Sequence, residues 1–219
     1  MDASVLDGLD LPGVHPARQE RSRTVMLALI EAGLELLRDR SFDALSIADL
    51  CAAAGVTTGS FYARFESKEA YLRAVQQVVV TEAMRDMEAA PAPEHVPPAS
   101  LRDYLGPLVA NSVRWRRRYE GLIRASLRAA RVDEGAWSPL RDLGQVRVER
   151  TLPVILGLLG PTASPAAADA VRFAFQILFG TLNNMMLVDP GPFGIHDEAT
   201  PRLLAEAMVR LIEAEAARA

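Results

Sequence analysis

Two short helices separated by a single glycine are predicted in residues 46–65, and this pattern constrains the fold more than any other feature of the chain. Ser46 precedes Asp49 by three residues, which is the spacing of a capping box, so a helix is expected to begin here. Gly55 can adopt the positive φ that the end of such a helix requires. Thr57 can cap the next helix. The order of helix, glycine and short polar helix predicts a helix-turn-helix motif.

Helical spacing recurs along the rest of the chain, and no convincing alternating strand pattern accompanies it. Val25, Leu29, Ala32 and Leu36 form one apolar face of a first helix, which is expected over roughly residues 17–38. A long fourth helix is expected to follow the motif. We count about nine helices and no sheet, which predicts an all-α fold.

Three segments are expected along the chain. Residues 1–17 are predicted to be a disordered tail, residues 18–66 a helix-turn-helix domain, and residues 67–219 a C-terminal helical domain. Residues 89–100 are rich in proline and indicate a linker or a long loop.

The composition excludes several classes of function. Cys51 is the only cysteine, so no intrachain disulfide can form, and the three dispersed histidines offer no zinc-ligand spacing. The chain lacks paired catalytic carboxylates, a nucleophile with a histidine and a glycine-rich phosphate loop, so no enzyme activity, cofactor or metal is expected. No signal peptide is recognisable, and the most apolar run, residues 173–188, is shorter than a membrane span and contains polar residues. These features predict a cytoplasmic protein that does not enter a membrane.

The charge distribution bears on whether the motif can meet nucleic acid. The chain has a formal net charge of −4, whereas residues 18–73 hold eight basic and eight acidic groups and are neutral. Contact with DNA must therefore depend on where individual charges lie rather than on the overall field.

The second helix of the motif carries residue types suited to lie against DNA. Phe61 and Phe65 are spaced to pack inward, and Gly59 lets the backbone come close to a partner. Arg64 can form a bidentate contact with guanine or contact a phosphate. Lys68, the only lysine, is expected at the start of the fourth helix, where its charge opposes the helix dipole unless a phosphate partners it. The side chains expected on the exposed face are Thr57, Thr58, Ser60, Tyr62 and Arg64.

The stretch IADLCAAAGVTTGSFYARFESKEAYL, residues 47–72, resembles the DNA-binding domain of the TetR (tetracycline repressor) family of bacterial transcription regulators. The resemblance spans about residues 18–75. It implies that Tyr62 and Lys68 hold phosphates and that the start of the first helix touches the DNA backbone or minor groove. Thr58 stands where the family commonly has lysine, and Arg64 where it commonly has histidine, which bears on the operator sequence. The candidate DNA-binding residues are Arg21, Arg23, Thr24, Ser46, Thr57, Thr58, Gly59, Ser60, Tyr62, Arg64 and Lys68.

The resemblance also implies a homodimer, because two recognition helices about 34–36 Å apart reach successive major grooves of a palindromic operator in double-stranded DNA. The helices at about residues 165–188 and 201–217 are the predicted interface. The alternative is that these two helices only close the core of the monomer.

Family resemblance further implies a small-molecule ligand, expected to be largely apolar, in the C-terminal domain. The candidate lining residues are Met84, Met87, Tyr104, Leu108, Trp115, Trp137, Phe175, Phe179 and Asn183. Aromatic and methionine residues at this spacing are also typical of an ordinary core.

The predicted function is that of a sequence-specific DNA-binding regulator, a repressor released from its operator by a ligand. The alternatives are a ligand-independent regulator, or an all-helical small-molecule-binding protein or enzyme. A row of arginines at Arg117, Arg124, Arg128 and Arg131 indicates either a solvated face paired with acids or a site for nucleic acid or an anionic ligand.

Overall fold

The computed structural model describes residues 2–17, 19–89, 98–161, 164–188 and 190–217, so most of the predicted proline-rich linker lies outside the described residues. Within these ranges the chain forms nine α-helices, three short 3-10 helices and no strand, which confirms the all-α prediction. The α-helices are α1 (Glu20–Leu36), α2 (Ile47–Ala53), α3 (Thr58–Tyr62), α4 (Lys68–Ala89), α5 (Leu101–Arg118), α6 (Glu120–Ala129), α7 (Ser138–Leu159), α8 (Ala167–Val188) and α9 (Ala199–Ala216).

The chain packs into two compact units. The N-terminal unit consists of Met1–Ala89 and Tyr119–Leu143, and the C-terminal unit of Ala90–Arg118 and Gly144–Ala219. The predicted boundary at residue 66 differs from this division, because α4 packs against α1 and α6 packs against α4.

The core of the N-terminal unit explains why α4 belongs to it. Tyr71 of α4 is fully buried, and its hydroxyl donates a hydrogen bond of 2.8 Å to the carbonyl of Leu29 in α1. Its ring lies 5.2 Å from that of Phe65, centre to centre. Gly33 of α1 leaves space for this hydroxyl, since a Cβ there would collide with it.

Helix α6 approaches the end of α1 just as closely. A Cβ on Gly121 would collide with the backbone carbonyl of Leu37, so only glycine permits this approach. Gln76 of α4 is also buried, and its amide donates hydrogen bonds to the Ser126 hydroxyl at 2.6 Å and the Ala136 carbonyl at 2.8 Å. These hydrogen bonds connect α6 and the residues just before α7 to α4.

The N-terminal segment, predicted as a disordered tail, is instead folded over residues 2–17. Its first residues form a 3-10 helix, Ala3–Leu6, and Val5 and Val14 are buried. Val14 forms an isolated antiparallel bridge with Phe65, with a hydrogen bond of 2.8 Å from the His15 amide to the Arg64 carbonyl. The correction has a simple physical reason: burial of apolar side chains offsets the entropy of ordering the segment.

The C-terminal unit is a bundle in which α9 packs against α5 and α8. Its core includes Leu105, Val109, Phe175, Leu182 and Ile212, each with no exposed surface. By length and composition α8 could cross a membrane, but core helices of water-soluble proteins meet the same criteria, and 39% of the apolar window is buried within the protein.

Candidate nucleic-acid interface

The helix caps and the glycine turn predicted around α2 and α3 are present in the structure. The Ser46 hydroxyl accepts a hydrogen bond from the Asp49 amide at 3.0 Å, and the Asp49 carboxylate accepts one from the Ser46 amide at 2.9 Å. Hydrogen bonds donated to this carboxylate, first by the Ser46 amide and then by the Ser46 hydroxyl and Arg40, lower the pKa of Asp49 from 3.8 to about 2. Gly55 has a φ of +66°. Thr57 caps α3 by accepting a hydrogen bond from the Ser60 amide at 3.2 Å.

Helix α3 has one face fixed in the core and one face open. Phe61 and Phe65 are fully buried, with ring centres 5.3 Å apart. Tyr62, on the outer side, is 53% exposed and meets Phe61 edge to face. Since the inner aromatic residues hold the helix in one orientation, the outer side chains form a preorganised polar surface. The exposed or partly exposed residues of that surface are Thr57, Thr58, Gly59, Ser60 and Tyr62.

Arg64 departs from its expected place on the exposed face. It is partly buried, and its Nε donates a hydrogen bond of 3.2 Å to the Ser22 carbonyl while a terminal nitrogen donates one of 2.7 Å to the Ser60 carbonyl. Burial lowers the pKa of its guanidinium. Residue 64 follows the end of α3 on the side that faces α1, so the side chain ties these two helices together.

The other residues predicted to contact the DNA backbone lie at the start of α1, and their environments in the structure differ. Arg21 and Thr24 are exposed, and the Thr24 hydroxyl donates to the Glu20 carbonyl at 3.1 Å. Arg23 instead turns to the N-terminal segment, where it forms an ion pair of 2.8 Å with Asp7 and donates a hydrogen bond of 2.5 Å to the Ala3 carbonyl. Local sequence patterns do not indicate this partnership, because Arg23 and Asp7 are 16 residues apart in the chain and the segment is predicted to be disordered. The apolar residues Val5, Leu6 and Val14 were the signal that could have revealed it.

Lys68 lies at the start of α4, as expected. Its ammonium group is 4.5 Å from the centre of the Phe42 ring and donates a long hydrogen bond of 3.4 Å to the Asp43 carbonyl. These contacts hold the ammonium group against the 3-10 helix Phe42–Ala44 and leave N–H donors free for an anion.

The candidate ligand residues are divided between the two units. Met84, Met87 and Trp137 belong to the N-terminal unit, and the others to the C-terminal unit. Phe175 is completely buried and serves the core of its own unit, where its ring centre lies 5.7 Å from that of Phe179.

The row of arginines is interrupted between α5 and α6. Arg117 donates to the Ile195 carbonyl at 2.7 Å, Arg124 pairs with Glu120 at 2.6 Å, and Arg128 lies 3.6 Å from an Asp43 carboxylate oxygen. Arg124 and Arg128 therefore pair with acids, as on a solvated face, whereas Arg117 is partly buried and binds backbone carbonyls.

Comparison with known proteins places the motif in a family. Residues 29–75 match the model for bacterial regulatory proteins of the tetR family. The transcriptional repressor DhaR of Mycobacterium sp. (strain GP1) is 33% identical over 82 residues, which are 37% of this chain and 41% of that protein. The uncharacterised transcriptional regulator YwcC of Bacillus subtilis (strain 168) is 44% identical over 45 residues, 20% of each chain. The chain thus spans less than half the length of these two relatives.

Similarity of fold extends much further along the chain. A TetR transcriptional regulator from Rhodococcus sp. RHA1 superposes with a TM-score of 0.51 at 20% identity, over 88% of this chain and 98% of that one. A tetR-family regulator from Streptomyces coelicolor gives 0.58 at 20% identity, over 87% and 89% of the two chains. Each of these four proteins is described as a transcriptional regulator or repressor. Residues 29–75 are therefore similar in sequence to the tetR family of bacterial regulatory proteins, and most of the chain is similar in fold to solved TetR regulators.

Proposed function

We propose that this protein is a cytoplasmic transcriptional repressor that binds a palindromic operator as a homodimer and is released by a small-molecule ligand. The observation that carries the DNA-binding part is the open polar face of α3 on a buried Phe61–Phe65 base. A rigid helix with exposed hydroxyls and a tyrosine can enter a major groove without first reorganising. The printed description of DhaR as a repressor supports the direction of regulation.

The surface of α8 supports the homodimer. Phe173 is 54% exposed, Ile177 40% and Leu187 46%, although the other face of the helix is fully buried. An apolar row of this kind on a water-soluble protein typically marks an interface with another chain. The neighbouring helix α9 exposes small and charged residues, among them Ala207 and Arg210, which allow close packing of a second copy.

Selection of bound DNA from a random pool with the purified full chain tests this proposal. We expect a palindromic consensus whose half-sites lie about one helical turn apart or a multiple of it, since symmetry of the protein imposes symmetry on the site. Enrichment of no sequence, or of a single unrepeated half-site with a strictly monomeric protein, would contradict it.

Two variants then test how α3 and α4 contact the duplex, by fluorescence anisotropy on the selected operator. Tyr62→Phe and Lys68→Ala are expected to weaken binding by a similar factor on all sequences, because both side chains are proposed to meet phosphates. Lys68→Ala should also reduce the slope of log K against log salt by about one. Arg141→Ala is the control for the charge change, since Arg141 is exposed and pairs with the adjacent Asp142.

A further inference from the structure

Two arginines of the C-terminal unit, Arg116 of α5 and Arg147 of α7, differ from every other arginine described above. Both are partly buried, and the guanidinium carbon of Arg116 lies 4.9 Å from the centre of the Phe179 ring in α8. Gly144, one turn before Arg147, brings α7 close to that same ring, since a Cβ there would lie 3.1 Å from it. The three helices therefore converge at Phe179.

The charges of these two arginines are not balanced within the described part of the chain. No ion pair or side-chain hydrogen bond joins either guanidinium to a described carboxylate. By contrast, Arg124 and Arg172 pair with carboxylates, and Arg117 donates to a backbone carbonyl. Burial, and then the charge of Arg147, lower the pKa of Arg116 to about 10. Burial likewise lowers the pKa of Arg147. Because arginine stays protonated at neutral pH, the protein carries both charges at a cost.

Two buried polar atoms without hydrogen-bond partners lie one helical turn from this contact along α5 and α8. The hydroxyl of Ser112, one turn before Arg116, is buried and has no hydrogen-bond partner, and the same is true of the side-chain oxygen of Asn183, one turn after Phe179. A buried polar atom that is left unpaired costs about 1–3 kcal/mol. A structural core would not retain two repelling cations and two unpaired polar atoms together, but a site awaiting a ligand would.

We propose that the ligand of this protein is an organic anion whose carboxylate or phosphate group is held between Arg116 and Arg147, with Ser112 and Asn183 completing its hydrogen bonds. The Phe179 ring and the neighbouring Tyr104 would contact the remainder of the ligand. The inference deepens the ligand-responsive part of the proposed function and changes the expected ligand from a largely apolar molecule to a charged one. It is confined to the C-terminal unit and can be measured without DNA.

Inorganic phosphate probes the charge requirement directly, by thermal denaturation of the full chain at constant ionic strength. At about ten times its dissociation constant, phosphate should raise the melting temperature of the wild type by about 3–6 °C. Arg116→Met and Arg147→Met should each lose at least half of that shift. The control Arg172→Met, an exposed arginine on α8 that pairs with Glu149 and Asp169, should retain it.

Without phosphate, the two methionine variants provide a second readout. Replacing an unpaired buried charge with an apolar side chain of similar size is neutral or stabilising. We therefore expect melting temperatures at or above that of the wild type. A marked loss of stability in both variants would overturn the proposal, because it would mean that the free protein already satisfies these arginines.

Calorimetry with octanoate, octyl phosphate and octan-1-ol, below any micelle-forming concentration, identifies the head group. We expect one of the two anions to bind the wild type at least tenfold more tightly than the alcohol, and each methionine variant to lose that preference. Equal binding of all three probes, or an anion preference that survives both substitutions, would refute the anion site. A protein that selects an operator but shows no anion preference would leave DNA binding intact and remove only this inference.

Discussion

At the scale of single residues, Arg64 acts through the folded protein rather than through an exposed guanidinium. Its two hydrogen bonds join the Ser22 and Ser60 carbonyls, on the first and third helices. Arg64→Met should lower the free energy of unfolding by about 1–3 kcal/mol, because both bonds come from a charged donor. The melting temperature, measured by circular dichroism, should fall by about 2–4 °C for each kcal/mol. Arg131→Met, at an exposed position, is the control; equal melting temperatures for the two variants would contradict the role assigned to Arg64.

Asp49 offers a prediction about pH at the same scale. Its folded-state pKa, about 2, lies below the ordinary value of 3.8, so its contribution to stability is complete above about pH 4 and is lost as the pH falls towards 2. Asp49→Asn should therefore show a smaller loss of melting temperature between pH 5 and pH 2 than the wild type. Asp142→Asn removes the same charge outside a helix cap and should retain the wild-type slope. Parallel curves for wild type and Asp49→Asn would disprove the linkage.

At the scale of helices, the contact between α1 and α4 depends on the absence of a side chain at Gly33. Gly33→Ala should destabilise the protein by about 1–3 kcal/mol, since the new methyl group must displace the Tyr71 hydroxyl from its buried bond to Leu29. Gly106→Ala is a matched control within α5, where nothing lies near the added Cβ. That substitution should instead stabilise by about 0.5–1 kcal/mol through helix propensity. Chemical denaturation of both variants measures the contrast, and changes of the same sign would count against it.

At the scale of the whole molecule, the proposed dimer depends on the apolar row of α8. Glutamate at both Phe173 and Ile177 should convert the protein to a monomer, because charged groups cannot be buried unpaired at the centre of an interface. Light scattering after size-exclusion chromatography measures the mass. The affinity for the operator, measured by fluorescence anisotropy, should fall at least tenfold when the dimer is lost. Val132→Glu, at a position that is 95% exposed, should change neither quantity. A dimer that persists with both glutamates would exclude this interface.

Much of the fold could be predicted because the signals for it are local. The capping box of Ser46 and Asp49, the positive φ of Gly55 and the cap of Thr57 each involve residues within three positions of one another. The inner and outer faces of α3 follow from helical spacing alone. Sequence reasoning therefore located the motif, the open face of α3 and the count of helices.

What the sequence determined by itself was the helical class of the chain and the polar surface of α3, since caps, glycine turns and periodicity act over a few residues. The tertiary structure decided the partners of the arginines. Arg64 and Ser22 are 42 residues apart in the chain, and Arg23 and Ala3 are 20 apart. Likewise, Arg116 and Arg147 meet only when α5, α7 and α8 converge. The physical reason is that the type of a side chain determines its charge. Whether that charge is buried, and whether it has a partner, depends on which distant atoms the packed helices bring next to it.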